Sequence, residues 1–205
     1  MTPDPVPAAG ISDGPPGDAV HDSPGLAELF AGLDPDRDHR VLDLGPAVAC
    51  NLEHYRRVAS RVRFVDLLRV DPREDLRGLE GDELERRLAE LLPGDGDGPD
   101  LILTWDVLNY FDDRRAGPVA RRVAALAAPG ARLHTMIITA PTMSAEPNRY
   151  LIVAPGRLAY RTGSARLVPA PGLPPARVER WLEPLAVTRS VVLRHGVREL
   201  VAVRA

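Results

Sequence analysis

The chain contains no lysine; all 26 of its basic residues are arginine. That absence excludes a P-loop lysine, a Schiff-base lysine and any lysine general base. Cysteine occurs once, as Cys50, which excludes an intramolecular disulfide and a paired-cysteine metal site. The five histidines show no HxxxH or HExxH spacing, so no metal site is expected. No apolar run is long enough to span a bilayer, and residues 133–140 suit a buried strand instead. The N-terminus lacks a basic segment followed by an apolar one, so it does not read as a secretory signal. A reducing, cytoplasmic location is the default. The net charge of −3 gives no reason to expect a nucleic-acid or membrane partner. The abundance of Ala, Gly and Pro beside arginine-only basic residues reads as a GC-rich, bacterial coding bias.

The 205 residues, 44% hydrophobic and 27% charged, fit one soluble domain with a sizeable core. Residues 1–24 are crowded with Pro, Gly and Asp and read as a disordered tail; 25–205 read as a single domain. Leu26, Leu29, Phe30 and Leu33 recur at helical spacing behind Ser23-Pro24, a cap followed by proline at the first helical position. Strands are expected at 40–44, 62–65, 101–104 and 132–139, and helices at 51–60, 82–92 and from 114 or 118 to 128. Asp82 and Glu85 have capping-box spacing. Strands alternating with helices of this length imply an α/β fold with a doubly wound, mostly parallel sheet. Residues 140–175 form a proline-rich insertion, with a β-excursion at 149–160. Two closing strands, 186–193 and 197–203, are separated only by Arg194-His195-Gly196 and should pair as an antiparallel hairpin.

The most informative segment is Val41-Leu42-Asp43-Leu44-Gly45-Pro46-Ala47-Val48-Ala49. An aliphatic strand leads to an acid and a glycine at its carboxyl end, where open parallel sheets bind ligands. Glycines would let a ligand approach the backbone at the later positions; Ala47 and Ala49 stand there instead, each with an added β-carbon. Asp66 follows Gly45 by about twenty residues, the separation at which an acid can reach a ribose diol.

With these residues and this order of elements, the chain resembles the class I S-adenosylmethionine-dependent methyltransferases from residue 26 to 203. That family's plan implies five parallel strands closed by an antiparallel hairpin. Asp43-Leu44-Gly45 is similar to its first motif, Asp66 to its ribose-binding acid, and Asp100 to Tyr110 to its fourth-strand motif. Ala128-Pro-Gly-Ala-Arg-Leu133 is similar to its usual turn into the fifth strand. The resemblance implies S-adenosylmethionine as cofactor, held by Asp43, Gly45, Ala47, Asp66, Leu67 and Trp105. The acid that the family often uses to read the adenine is missing between strands two and four; Asp95 or Asp97 could substitute, and the same loop also reads as a solvated turn. Gly163-Ser164-Ala165 lacks the context of a hydrolase nucleophile, and no asparagine-proline-proline-aromatic motif is present.

Methyl transfer needs alignment, and a base only when the nucleophile carries a proton. Asp106, Asn109 and Tyr110 follow the fourth strand and are the candidate catalytic residues: Asp106 to orient or deprotonate a substrate, the others to supply hydrogen bonds. An equal reading makes this stretch a packed connection with Asp106 capping a turn. His134 reads as a core histidine with a backbone partner. Two functions stay open: methyl transfer to oxygen or nitrogen of a small-molecule substrate, or a methyltransferase-fold binding or scaffold protein. A homodimer or protein partner is open under either.

Overall fold

Four apolar runs of the sequence become the parallel strands of one sheet. The structure, a computed structural model, describes residues 20–68, 76–94, 96–193 and 196–205. In chain order, β1 (His21–Asp22) and α1 (Pro24–Ala31) precede β2 (His39–Asp43), α2 (Ala49–Tyr55) and β3 (Ala59–Phe64). Then come α3 (Gly81–Leu91), β4 (Leu101–Trp105), a 3-10 turn (Val107–Tyr110), α4 (Asp113–Leu126) and β5 (Arg132–Ile138). The 140–175 stretch carries β6 (Thr142–Ser144), β7 (Arg149–Ala154), β8 (Arg157–Arg161) and β9 (Leu167–Pro169). The chain closes through α5 (Pro175–Trp181), β10 (Leu185–Leu193) and β11 (Val197–Arg204).

The central sheet has six strands in the order β10-β11-β5-β4-β2-β3. β2 lies parallel to β3 and β4, and β4 parallel to β5. β11 runs antiparallel to both β5 and β10, so the expected hairpin closes the sheet; its residues Arg194 and His195 lie outside the described ones. Among the described residues the sheet thus holds four parallel strands where five were expected. Among the described residues between β3 and β4 there is only a short 3-10 turn (Leu76–Gly78) and α3. The chain runs from β2 outward to β3, then back past β2 to β4. This reversal opens a crevice at the carboxyl ends of β2 and β4, where open α/β sheets take ligands.

Successive residues of each strand face opposite layers. Leu42, Leu44, Ile102 and Leu133 pack with Leu84 and Leu88 of α3, Val119 and Val123 of α4, and Val178 of α5. On the other face Val41, Leu101, Leu103 and Met136 pack with Leu26 and Leu29 of α1, Tyr55 of α2, and Tyr150, Ile152 and Leu158 of β7 and β8. That second layer is therefore closed partly by strands of the insertion. β1, β8 and β7 make a three-stranded sheet, with Asn51 of α2 bonded to the Tyr150 carbonyl (3.1 Å) and the Ile152 amide (2.8 Å).

Some local expectations move. α2 stops at Tyr55, and Ala59, expected on that helix, is the first residue of β3. α3 starts at Gly81 with Glu80 at its N-cap and no side-chain cap, so no capping box forms; Asp82 and Glu83 instead complement the helix dipole. β3 ends at Phe64, which leaves Asp66 beyond the strand. Of the stretch 1–24 read as a tail, His21–Asp22 pairs with β8 and Ser23 is buried; residues 1–19 lie outside the described ones. No described helix is long and apolar enough to cross a membrane.

Glu199 of β11 fixes α1 to the sheet. Its carboxylate accepts the Ser23 hydroxyl and the Gly25 amide (2.8 Å), with His134 Nε2 at 3.3 Å. Ser23 in turn caps α1 by accepting from Leu26 N. His134 thus has a carboxylate partner rather than the backbone partner expected. Burial pushes the Glu199 carboxyl up, but His134, Ser23 and the Gly25 amide outweigh it and hold it below the usual value. Glu199→Ala strands these buried groups and should lower the unfolding free energy by about 3 kcal/mol in urea titration. A loss no larger than that of an exposed substitution would mean that the cluster is not holding the helix.

Candidate active site at the carboxyl ends of β2 and β4

Asp43 ends β2 with no exposed surface. A buried carboxylate needs partners for its lone pairs, and Asp43 has three. Oδ1 accepts from the Gly45 amide (2.8 Å) and from Trp105 Nε1 (2.6 Å), while Oδ2 accepts from the Tyr55 hydroxyl (2.7 Å). Burial nevertheless raises its pKa to about 6; the Tyr55, Gly45 and Trp105 bonds pull it down, and nearby Asp66 pushes it further up. Asp66 is half-buried in the loop after β3 and close enough to be felt by Asp43.

Trp105 reaches Asp43 because β4 ends irregularly. The pairing of β4 with β5 shifts between Leu103 and Trp105, and Trp105 has φ of +49°, alone among the described non-glycine residues. A bulge of this kind re-aims a side chain, and the left-handed backbone costs about 1 kcal/mol or more for a bulky residue. The indole is buried, lies 5.2 Å from the Tyr150 ring at 7° between planes, and meets the His134 ring edge-on. It also covers Gly45: a Cβ added there would lie 3.0 Å from indole Cδ1 and 3.2 Å from Asp43 Oδ1.

Ala47 and Ala49, which follow the turn, are exposed, and between them Val48 packs with Leu151 and Ala159 of the insertion. Leu67, predicted at the cofactor, is buried in the core with Leu42, Leu44 and Leu76. Asp97 is an exposed surface acid paired with Arg40, and Asp95 lies outside the described residues.

Of the predicted catalytic residues, Asp106 and Tyr110 lie side by side, while the Asn109 side chain is turned to main chain. Asp106 is buried, and its Oδ2 accepts from the Tyr150 hydroxyl (2.9 Å) and from Asn148 Nδ2 (3.1 Å). Burial raises the Asp106 pKa to about 6 against the pull of those two bonds. The same burial, together with the Asp106 charge, holds the Tyr150 hydroxyl well above its ordinary value. Asn109 is spent on main chain: Nδ2 donates to the carbonyls of Asp106 and Met136, and Oδ1 accepts from Ile138 N, each at 2.9 Å. It pins the 3-10 turn to β5 and has no polar group left for a substrate. Tyr110 donates to the Glu146 carbonyl (3.0 Å) from a half-buried position, and burial raises its pKa.

Tyr150, Asn148 and Tyr55 belong to this cluster but were not singled out as site residues. Tyr150 and Asn148 arrive from the insertion through contacts about 40 residues apart in sequence, for which local spacing holds no signal. They border a cleft of about 760 Å³ beyond β5, walled by Met136, Ile138, Met143, Leu158 and Tyr160. The turn residues Asp43, Gly45 and Ala47 do not line it.

No family model matches the chain, and no curated protein does so either. Solved structures do match. One is a 1,6-didemethyltoxoflavin-N1-methyltransferase from Burkholderia thailandensis with bound 1,6-didemethyltoxoflavin and S-adenosylhomocysteine, at 21% identity and a TM-score of 0.51. The match covers 89% of this chain and 77% of that one. Another is an S-adenosylmethionine-dependent methyltransferase from Mesorhizobium loti, at 15% identity and a TM-score of 0.50, covering 86% of this chain and 96% of that one. The likeness shows the fold: this chain has the class I methyltransferase architecture, with four parallel strands among its described residues.

As chemistry, the strand-end set fits a ribosyl sulfonium cofactor, since two carboxylates and a glycine turn converge there. In space, this conformation gives that set to the indole. The buried Asp43 also makes a pH prediction. Its pKa is raised on folding, so its stabilising contribution is complete below about 4 and is lost as pH rises through about 6. Relative to Asp43→Asn, the wild-type unfolding free energy should fall by about 2–3 kcal/mol from pH 4 to 7. A flat difference between the two profiles would place the carboxylate in a solvated setting.

Proposed function

We propose that the chain is an S-adenosylmethionine-dependent methyltransferase acting on oxygen or nitrogen of a small molecule. The observation that carries this reading is the juxtaposition of Asp43, Gly45 and Asp66 at adjoining strand ends, in a methyltransferase fold, one aromatic pair away from a small-molecule-sized cleft. The cofactor supplies an electrophilic methyl group. Asp66 is the acid that would reach a ribose diol, and Asp43 with the Gly45 amide orders the turn. The apolar cleft wall orients the acceptor and excludes water.

Tyr150 lines the cleft and donates its hydroxyl to Asp106. An acceptor O–H or N–H bonded to the Tyr150 oxygen can pass its proton there while Tyr150 hands its own to Asp106. The raised Asp106 pKa, about 6, keeps that carboxylate a usable base near neutral pH. A second reading, a binding protein without methyl transfer, draws support from one observation: the three protein donors that already occupy Asp43.

Calorimetric titration of S-adenosylhomocysteine separates the two. Saturable binding that weakens tenfold or more in Asp66→Ala supports the enzyme, and no heat at millimolar ligand rejects it. Once an acceptor is identified with methyl-labelled cofactor, Asp106→Asn should lower kcat about 10²- to 10⁴-fold. The wild-type rate should rise with pH through about 6. An Asp106→Asn rate equal to wild type would remove Asp106 from the chemistry.

A further inference from the structure

Trp105 ends β4 with its indole turned onto the Asp43–Gly45 turn. Its indole Nε1 donates at 2.6 Å to the same Asp43 oxygen that accepts the Gly45 amide. Its ring rests on the bare face of Gly45, leaving no room for even a β-carbon without displacement. The obstruction at the turn is therefore a side chain rather than the backbone, and side chains can move. The positive φ of Trp105 adds a restoring tendency, because a regular extended backbone would aim the indole elsewhere.

We propose that Trp105 gates the cofactor turn: its indole is the turn's resident occupant, and a ligand reaches Asp43 only by displacing it. The inference rests on the cofactor reading above and adds a competitor built into the chain. Its cost appears as weakened apparent affinity, since only the fraction of molecules with the indole withdrawn can bind. The gate also reaches the second site. The indole stacks on Tyr150, whose hydroxyl holds Asp106 and whose ring borders the cleft. Withdrawal of Trp105 uncovers one face of Tyr150, so filling the turn releases a wall of the acceptor cleft.

The chain has two tryptophans, Trp105 and Trp181, so Trp181→Phe leaves Trp105 as the sole indole reporter. In that background, S-adenosylhomocysteine should change the Trp105 emission and saturate at the concentration found by calorimetry. Trp105→Ala should bind tenfold or more tightly than wild type. Trp105→Phe, which keeps a ring against Tyr150 but loses the bond to Asp43, should fall between them. If Trp105→Ala fails to fold, Trp105→Phe and the emission titration decide. Equal or weaker binding by the Trp105 variants, with unchanged emission at saturation, overturns the gate and leaves the cofactor reading standing. No binding by any variant at millimolar ligand overturns both.

Discussion

The buried Asp43 carboxylate is the constraint around which the site is organised. An ion with no exposed surface is tolerated only when its lone pairs are met, and here three separate pieces of chain supply the donors. Gly45 comes from the turn that follows the strand, Tyr55 from the end of α2, and Trp105 from the end of β4. Each demand shapes its element. The turn must fold back so that an amide two residues on reaches its own strand end. α2 must present Tyr55 inward, and β4 must break its register to bring an indole across. The crevice of the sheet is thus closed by the partners of one acid.

From that acid a connected series of groups crosses the sheet face. Tyr55 bonds Asp43, Asp43 bonds Trp105, Trp105 stacks on Tyr150, and Tyr150 bonds Asp106, which also takes Asn148. Two carboxyls with pKa values raised to about 6 stand at either end of an aromatic pair. Neither is exposed, so both depend on their neighbours rather than on water for the stability of the charged form. The aromatic pair is shared between the turn and the cleft.

The strands were legible because their signals are local. Aliphatic runs such as Leu101-Ile102-Leu103 are buried on both faces of a parallel sheet, and the closing hairpin follows from two runs separated by three residues. Asp43 was legible as important, but the sequence could not say whether its partners would be ligand or protein. Ala47 and Ala49 stand where a cofactor turn carries glycines, and both lie exposed on the surface. Trp105 was expected at the cofactor, and its indole lies on Asp43 and Gly45 instead of open space, because its aim depends on a bulge set by pairing with β5. Asn109 offered a polar group of the right type, yet all of it goes to main chain.

The grip of Asn51 on β7 has a consequence for solubility. β7 is an edge strand of its small sheet, and such an edge invites pairing with a second chain. Asn51 meets the Tyr150 carbonyl and the Ile152 amide with its own carboxamide, imitating one residue of a neighbouring strand. A single side chain thereby ends the sheet where hydrogen-bonded growth would otherwise continue. Its removal would expose a sticky seam while touching neither the acids nor the aromatic rings.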